Sequence, residues 1–62
     1  MMMTPMQHFI TAQIRANGKF VPVAPEMTLQ EYHDYAEFLD KGVIVPDGDG
    51  GMVFGEGYED TY

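Results

Sequence analysis

Four carboxylates recur at every third position in the middle of the chain: Glu31, Asp34, Glu37 and Asp40. On a helix, side chains three positions apart are surface neighbours, with their Cβ atoms about 5–6 Å apart. Such a row offers a strip of negative charge and, in principle, pairs of carboxylates for acid–base chemistry. Like charges at this spacing mildly destabilise an isolated helix, so the pattern favours a binding role over a purely structural one.

The residue types that most enzymes use for covalent chemistry are missing. The sequence contains no serine and no cysteine, and its only imidazoles are His8 and His33. The commonest nucleophiles are therefore absent, and so small a body leaves little room for a substrate pocket. We expect no catalytic residues and a protein that is not an enzyme.

One glycine-rich segment, Asp47-Gly48-Asp49-Gly50-Gly51, superficially suggests a calcium loop. An EF-hand loop needs oxygen ligands at its first, third and fifth positions, glycine at the sixth and glutamate at the twelfth. Counted from Asp47, the fifth, sixth and twelfth positions hold Gly51, Met52 and Tyr58, so the match ends after two ligands. The phosphate-binding P-loop pattern is also absent. The sequence predicts no metal site and no cofactor, and a turn between strands is the favoured interpretation.

Charge is distributed very unevenly along the chain. Residues 1–25 contain Arg15 and Lys19 and no acid, whereas residues 26–62 contain all ten acids and only Lys41, which gives a formal net charge of −7. Such a field repels nucleic acid and anionic membranes and attracts basic surfaces. We therefore expect no direct binding to nucleic acid or membrane, and a basic protein as the partner.

Length and composition indicate one small cytoplasmic domain. The 62 residues are 45% apolar, too many for a disordered acidic tail. A chain of this size buries only roughly 60% of the surface that it exposes when unfolded. The lack of cysteine fits a reducing compartment. We expect no signal peptide, and no apolar run approaches the ~20 residues that span a bilayer.

A helix over residues 28–41 is the clearest predicted element. Thr28 and Glu31 have the spacing of a capping box, and Gly42 follows the predicted last turn. A core-facing stripe is predicted from residues that share an arc of roughly 120°: Leu29, Tyr32, Tyr35, Ala36 and Leu39. Phe38 projects instead among the acids, where an aromatic ring surrounded by carboxylates is typical of an interface anchor.

The segment before this helix has two interpretations. The favoured one is a β-hairpin over residues 8–23 that turns at Asn17-Gly18, a dipeptide suited to a two-residue turn. Its register places Ile10, Ala12 and Ile14 on one face with the apolar residues of the second strand. The alternative is a helix over residues 5–16, with Thr4 as N-cap, Pro5 in the first turn and Gly18 beyond the end.

Two short strands are predicted after the helix, at residues 43–45 and 52–54. The expected fold is a small α+β domain of order β-β-α-β-β, with an antiparallel or mixed sheet and one amphipathic helix on one face. Residues 1–7 form a flexible arm in this interpretation, residues 8–54 the domain, and residues 55–62 an acidic mobile tail.

These features predict a non-catalytic protein whose acidic surface blocks a basic, nucleic-acid-binding surface of a larger protein, either as a true nucleic-acid mimic or by generic binding to a basic patch. The predicted contact residues are acids and aromatics of the helix and tail: Glu31, Asp34, Glu37, Phe38, Asp40, Glu56, Tyr58, Glu59, Asp60 and Tyr62. In size and charge the chain is similar to phage-encoded inhibitors such as anti-CRISPR and anti-restriction proteins, which implies a location in the host cytoplasm.

Three alternatives remain open at this point. The chain could be an antitoxin-like or regulatory partner of a small basic protein, since Asn17 to Val23 loosely resembles hairpins of some small antitoxins. It could be an accessory subunit that completes a larger assembly through an apolar face. Homodimerisation is a further possibility for a domain with so little core.

Overall fold

A computed structural model of the chain describes residues 3–22 and 26–62. In chain order the elements are α1 (Pro5–Asn17), α2 (Leu29–Lys41), β1 (Ile44–Pro46) and β2 (Met52–Phe54), and the two strands form one antiparallel sheet. The predicted β-β-α-β-β order is therefore wrong. The chain has a helix-helix-strand-strand order, with a helix where the hairpin was expected.

Helix α1 forms because both of its ends are capped by local sequence. The Thr4 hydroxyl accepts from the backbone N–H of Gln7 at 3.2 Å, and the Gln7 side-chain oxygen accepts from the N–H of Thr4 at 3.1 Å. Pro5 occupies the first turn. Gly18, which suggested a hairpin turn, instead ends the helix in the left-handed conformation at φ 85°. The alternative that began a helix at Pro5 describes the fold.

The apolar spacing of α1 fits a helix better than a strand. Its buried residues repeat with the period of a helix face: Met6, Gln7, Ile10, Thr11 and Ile14. Ala12, which the hairpin register placed in the core, is exposed. The helix also starts inside the segment expected to be a flexible arm. Met1, Met2 and Val23, which the arm and hairpin predictions included, lie outside the described residues.

Helix α2 confirms the predicted element but not its predicted orientation. Thr28 and Glu31 form the capping box through bonds of 3.1 and 3.0 Å, and Gly42 ends the helix at φ 78°. Yet Leu29 is 90% exposed, while Phe38 is only 3% exposed. The predicted stripe assumed burial against a sheet alone. Instead α2 packs against α1 as well as β1, and this turns Phe38 inward.

The predicted strands after the helix are confirmed within one residue. Ile44 pairs with Phe54, Val45 with Val53 and Pro46 with Met52. A further bridge joins Phe20 to Met52, through N–H to oxygen bonds of 2.8 and 2.7 Å. The chain after α1 thereby runs beside β2, and this is all that the described residues retain of the predicted second hairpin strand.

The core lies between the two helices and the inner side of the sheet. It consists of nine buried apolar residues: Met6, Ile10, Ile14, Phe20, Tyr35, Phe38, Val43, Ile44 and Met52. Burying a large apolar side chain contributes roughly 1.5–3 kcal/mol, so a core of this size supports a domain of modest stability.

Candidate partner-binding surfaces

The row of acids on α2 is not a uniform exposed strip. Asp34 is 7% exposed, and its Oδ1 accepts from Nε2 of Gln30 at 3.1 Å. The imidazole Nδ1 of His33 lies 3.9 Å from the same oxygen. The carbonyl oxygen of Asp34 also lies 3.5 Å from Nε2 of Gln7 on α1. Asp34 therefore lies at the interface between the helices and offers little surface to a partner, contrary to its predicted role.

Glu37 is exposed but already has partners within the chain. Its Oε1 accepts from Nε2 of the buried Gln7 at 2.8 Å and lies 3.8 Å from Nζ of Lys41. Glu31 uses Oε1 for the helix cap. Only Asp40 among the four keeps an exposed side chain with no hydrogen bond or ion pair among the described residues. The intramolecular contacts thus reduce the charge that the row presents.

Phe38 lies in the core rather than on the acidic face. Its ring packs edge-to-face on Tyr62, with the ring centroids 5.5 Å apart. The prediction of an exposed aromatic anchor at this position is wrong, because a second helix and the C-terminal segment cover the side of α2 that a single sheet would have left open.

The C-terminal segment folds back as a series of turns. The N–H of Gly55 donates to the carbonyl of Val43 at 2.8 Å, and the N–H of Tyr58 donates to the carbonyl of Gly55 at 3.0 Å. Tyr58 and Tyr62 pack against the core, so their predicted place among exposed contact residues is replaced by a largely structural one. A Cβ atom on Gly55 would collide with the carbonyl oxygen of Gly42, so the close approach requires glycine here.

These turns present an exposed acidic surface. Glu56, Glu59 and Asp60 are all exposed, and residues 55–62 contain no basic residue. We name these three residues the acidic turns. Their backbone is fixed by the bonds at Gly55 and Tyr58, so a partner would meet carboxylates that are already positioned, at a smaller cost in conformational entropy than a free tail would have.

A row of four aromatic rings joins α1, the segment after it and α2. Phe9 packs edge-to-face on Phe20, with the ring centroids 6.0 Å apart. The ring centroids of Phe20 and Tyr35, and those of Tyr35 and Tyr32, are each 5.9 Å apart. The inner pair is buried, whereas Phe9 and Tyr32 are 51% and 50% exposed. Burial raises the pKa of the Tyr35 hydroxyl, and the neighbouring Tyr32 raises it further.

The sequence interpretation did not predict this row as a unit. The helical alternative over residues 5–16 counted Phe9 with Met6, Ile10 and Ile14 in the apolar stripe, and Tyr32 was expected in the core-facing stripe of α2. Both side chains are instead about half exposed.

An open cleft of about 590 Å³ lies beside the row. Met6, Phe9, Phe20 and Met27 contribute much of its apolar wall. Its polar rim includes Lys19, Glu26 and Glu31. The arrangement can hold an apolar group and, at the rim, a charged one.

Within residues 3–22 and 26–62, no three His, Asp or Glu side chains cluster as metal ligands would. The part of the chain that the structure describes also contains no helix with the length and apolar character needed to cross a membrane.

Comparison with known protein families, curated proteins and solved structures finds no significant match to this chain. The fold and its surfaces therefore define only a class: a small α+β protein of order α-α-β-β with separate acidic and aromatic surfaces.

Proposed function

We propose that this is a non-catalytic binding protein that docks its exposed carboxylates on a basic surface of a larger protein. The observation that carries the proposal is the acidic turns: three exposed acids, no base within residues 55–62, and a backbone held to the core by Gly55 and Tyr58. Complementary charge of this kind mainly accelerates association and sets specificity.

The partner surface in this proposal normally binds nucleic acid. Proteins that hold nucleic acid strands gain much of their affinity from Lys and Arg that contact phosphates. The same side chains also form ion pairs with carboxylates. Occupying that surface would block the natural ligand, as phage-encoded inhibitors of host nucleic-acid machinery do. The proposed location is accordingly the cytoplasm, that of the host if the chain is phage-encoded.

The structure changes which residues the proposal uses. Glu56, Glu59 and Asp60 carry the main contact, and Asp40 and Glu37 add charge from the outer face of α2, where they border a shallow depression with His33 and Ala36. Asp34 and Phe38 support the fold instead, and Glu31 divides its carboxylate between the helix cap and solvent.

A matched pair of charge reversals tests the proposal. The partner is first captured from a bacterial lysate at low salt, released at high salt and purified. Glu59→Lys and Asp49→Lys each change the net charge from −7 to −5, and both side chains are exposed. We expect Glu59→Lys to slow association and weaken binding by roughly tenfold more than Asp49→Lys does.

Competition with nucleic acid tests whether the protein blocks the nucleic-acid-binding surface of its partner. The wild-type protein is expected to displace DNA or RNA from the captured partner, less effectively as salt rises. Equal effects of the two reversals would contradict the role of the acidic turns, and a partner that keeps its nucleic acid would contradict the blocking function.

A second candidate function, an accessory subunit of a larger assembly, is favoured by the exposed apolar side chains. Leu29 is 90% exposed, and Phe9, Val21 and Tyr32 are each about half exposed. Phe9 and Val21 line the same cleft, and apolar side chains grouped on one surface are typical of interfaces. Binding that is insensitive to Glu59→Lys but is lost on Phe9→Ser would support this candidate over the first.

A further inference from the structure

The open cleft between α1 and the start of α2 has the composition of a peptide-binding groove. Phe9 and Phe20 meet edge-to-face along its wall. Phe9 and Val21 remain about half exposed. A volume of about 590 Å³ accommodates one or two large side chains rather than a whole domain.

The rim of the cleft adds a charge preference. Glu26 is exposed, and Glu31 keeps one carboxylate oxygen outside the capping bond that its Oε1 makes with the N–H of Thr28. Lys19 is the single base among the lining residues that the structure describes. With the rest of the chain strongly acidic, the cleft favours a cationic group beside the apolar one.

We infer that this cleft binds an amphipathic basic segment of the protein partner. An apolar side chain of that segment contacts Phe9 and Phe20, and a neighbouring Lys or Arg pairs with Glu26 and Glu31. The inference rests on the proposed function in one respect, which is that the partner is basic. It adds a second contact, separate from the acidic turns, that supplies apolar burial.

Charge argues against a second copy of the chain as the occupant. Each copy carries a net charge of −7 and has three basic residues in total. Two copies would therefore repel each other, and α1, with Arg15 as its basic residue, cannot supply the row of cations that a basic segment offers.

A pair of synthetic peptides tests the inference without the natural partner. One is a helical peptide of about 15 residues with leucines along one face and lysines elsewhere, and the other has serine in place of each leucine. Affinities are measured by titration calorimetry, and contact sites by amide chemical-shift changes. The serine peptide measures charge alone, so the ratio of the two affinities isolates the apolar contribution. We expect the leucine peptide to bind about tenfold or more tightly.

Three variants locate the contact. Phe9→Ser and Val21→Ser remove exposed side chains from the cleft, while Val45→Ser removes one from β1, outside its lining. Either cleft variant should reduce the affinity ratio several-fold, with shift changes confined to the cleft, and Val45→Ser should leave it unchanged. All three side chains are partly exposed, so their replacement should leave the fold intact. If Phe9→Ser nevertheless unfolds the protein, Val21→Ser tests whether the peptide contacts the cleft.

The other outcomes overturn the inference in distinguishable ways. Equal affinities, with shift changes only at the acidic turns, would show that the cleft does not bind the peptide. The proposed function would be unaffected by that result. No binding of either peptide would contradict both. Self-association in sedimentation experiments that Phe9→Ser abolishes would assign the cleft to a second copy of the chain instead.

Discussion

The side chain of Gln7 joins α1 to α2 by donating from Nε2 to Oε1 of Glu37 over 2.8 Å. The same nitrogen lies 3.5 Å from the carbonyl oxygen of Asp34, and the Gln7 oxygen accepts from the N–H of Thr4. Gln7 is 4% exposed. One buried amide therefore caps the first helix and occupies a carboxylate of the second, so the acidic row of α2 is part of the fold as well as part of the surface.

Gln7→Glu is expected to destabilise the protein through this contact. Glutamate can keep the cap on Thr4 but replaces the donor that faces Glu37 with a carboxylate oxygen. Losing a hydrogen bond to a charged group and placing two carboxylates together should cost about 2 kcal/mol at neutral pH. Urea denaturation measures the loss, and the added change Glu37→Gln should restore most of it by reversing the direction of the bond.

A control for this pair lies on the same helix. Gln13→Glu introduces the same charge into α1, and its oxygen can still accept from Nδ2 of Asn17. Its effect should stay within about 0.5 kcal/mol. If Gln7→Glu were equally mild, or if Glu37→Gln failed to compensate, the contact would not matter to stability.

Truncation of Phe38 should destabilise the protein strongly, whereas truncation of Leu29 should have little effect. Phe38→Ala removes a ring that is 3% exposed and packs on Tyr62, so a loss of about 3–5 kcal/mol is expected, enough to unfold much of so small a protein. Leu29→Ala shortens a side chain that is 90% exposed and should cost less than about 0.5 kcal/mol. Circular dichroism melts compare the two, and a large loss from Leu29→Ala would indicate that α2 packs as the sequence interpretation expected.

Gly55 and Gly51 form a second matched pair. A methyl group on Gly55 would collide with the backbone carbonyl of Gly42, whereas one on Gly51 would meet Cδ and Cγ of the flexible Lys19 side chain. Gly55→Ala should therefore release residues 55–62 from the core and lower stability by more than about 2 kcal/mol, while Gly51→Ala should be tolerated. Protease sensitivity after Gly55 and the melting temperature test this. Equal melting temperatures would mean that the acidic turns are not fixed to the core.

The elements with complete local signals could be predicted from the sequence. Thr28, Glu31 and Gly42 mark both ends of α2, and β1 and β2 follow from short apolar runs around a glycine-rich loop. Helix α1 had equally good signals in Thr4 and Pro5. It was only the alternative to the favoured hairpin because Asn17-Gly18 serves both as a hairpin turn and as a helix end.

The orientation of α2 could not be predicted in the same way. Its residues offer two apolar arcs, one through Leu29 and Tyr32 and one through Phe38, and Tyr35 lies between them. Which arc is buried depends on what packs beside it, and that required knowing that residues 5–17 form a second helix. The error at α1 therefore carried over to Phe38, and from there to the predicted binding site.

The carboxylate of Asp47 organises the turn between β1 and β2. Its Oδ1 accepts from the N–H of Asp49 at 2.7 Å and from that of Gly51 at 3.2 Å. The bond from Asp49 is the main cause that lowers the pKa of Asp47. Desolvation is the next largest effect and raises the pKa, while the Gly51 N–H and the charge of Lys19 lower it further.

Asp47→Asn is therefore expected to change how stability depends on pH. A carboxyl group whose pKa is lower in the folded state stabilises the protein above its unfolded pKa, and this contribution is lost as pH falls through the folded value. Asparagine can still accept the two hydrogen bonds but carries no charge. The wild type should thus melt at a higher temperature than Asp47→Asn near neutral pH, and the gap should close as pH falls below the ordinary pKa of an aspartate, about 3.9. Asp49→Asn, whose side chain accepts none of the turn's hydrogen bonds, serves as the control, and a gap that persists unchanged in acid would show that the charge of Asp47 plays no part.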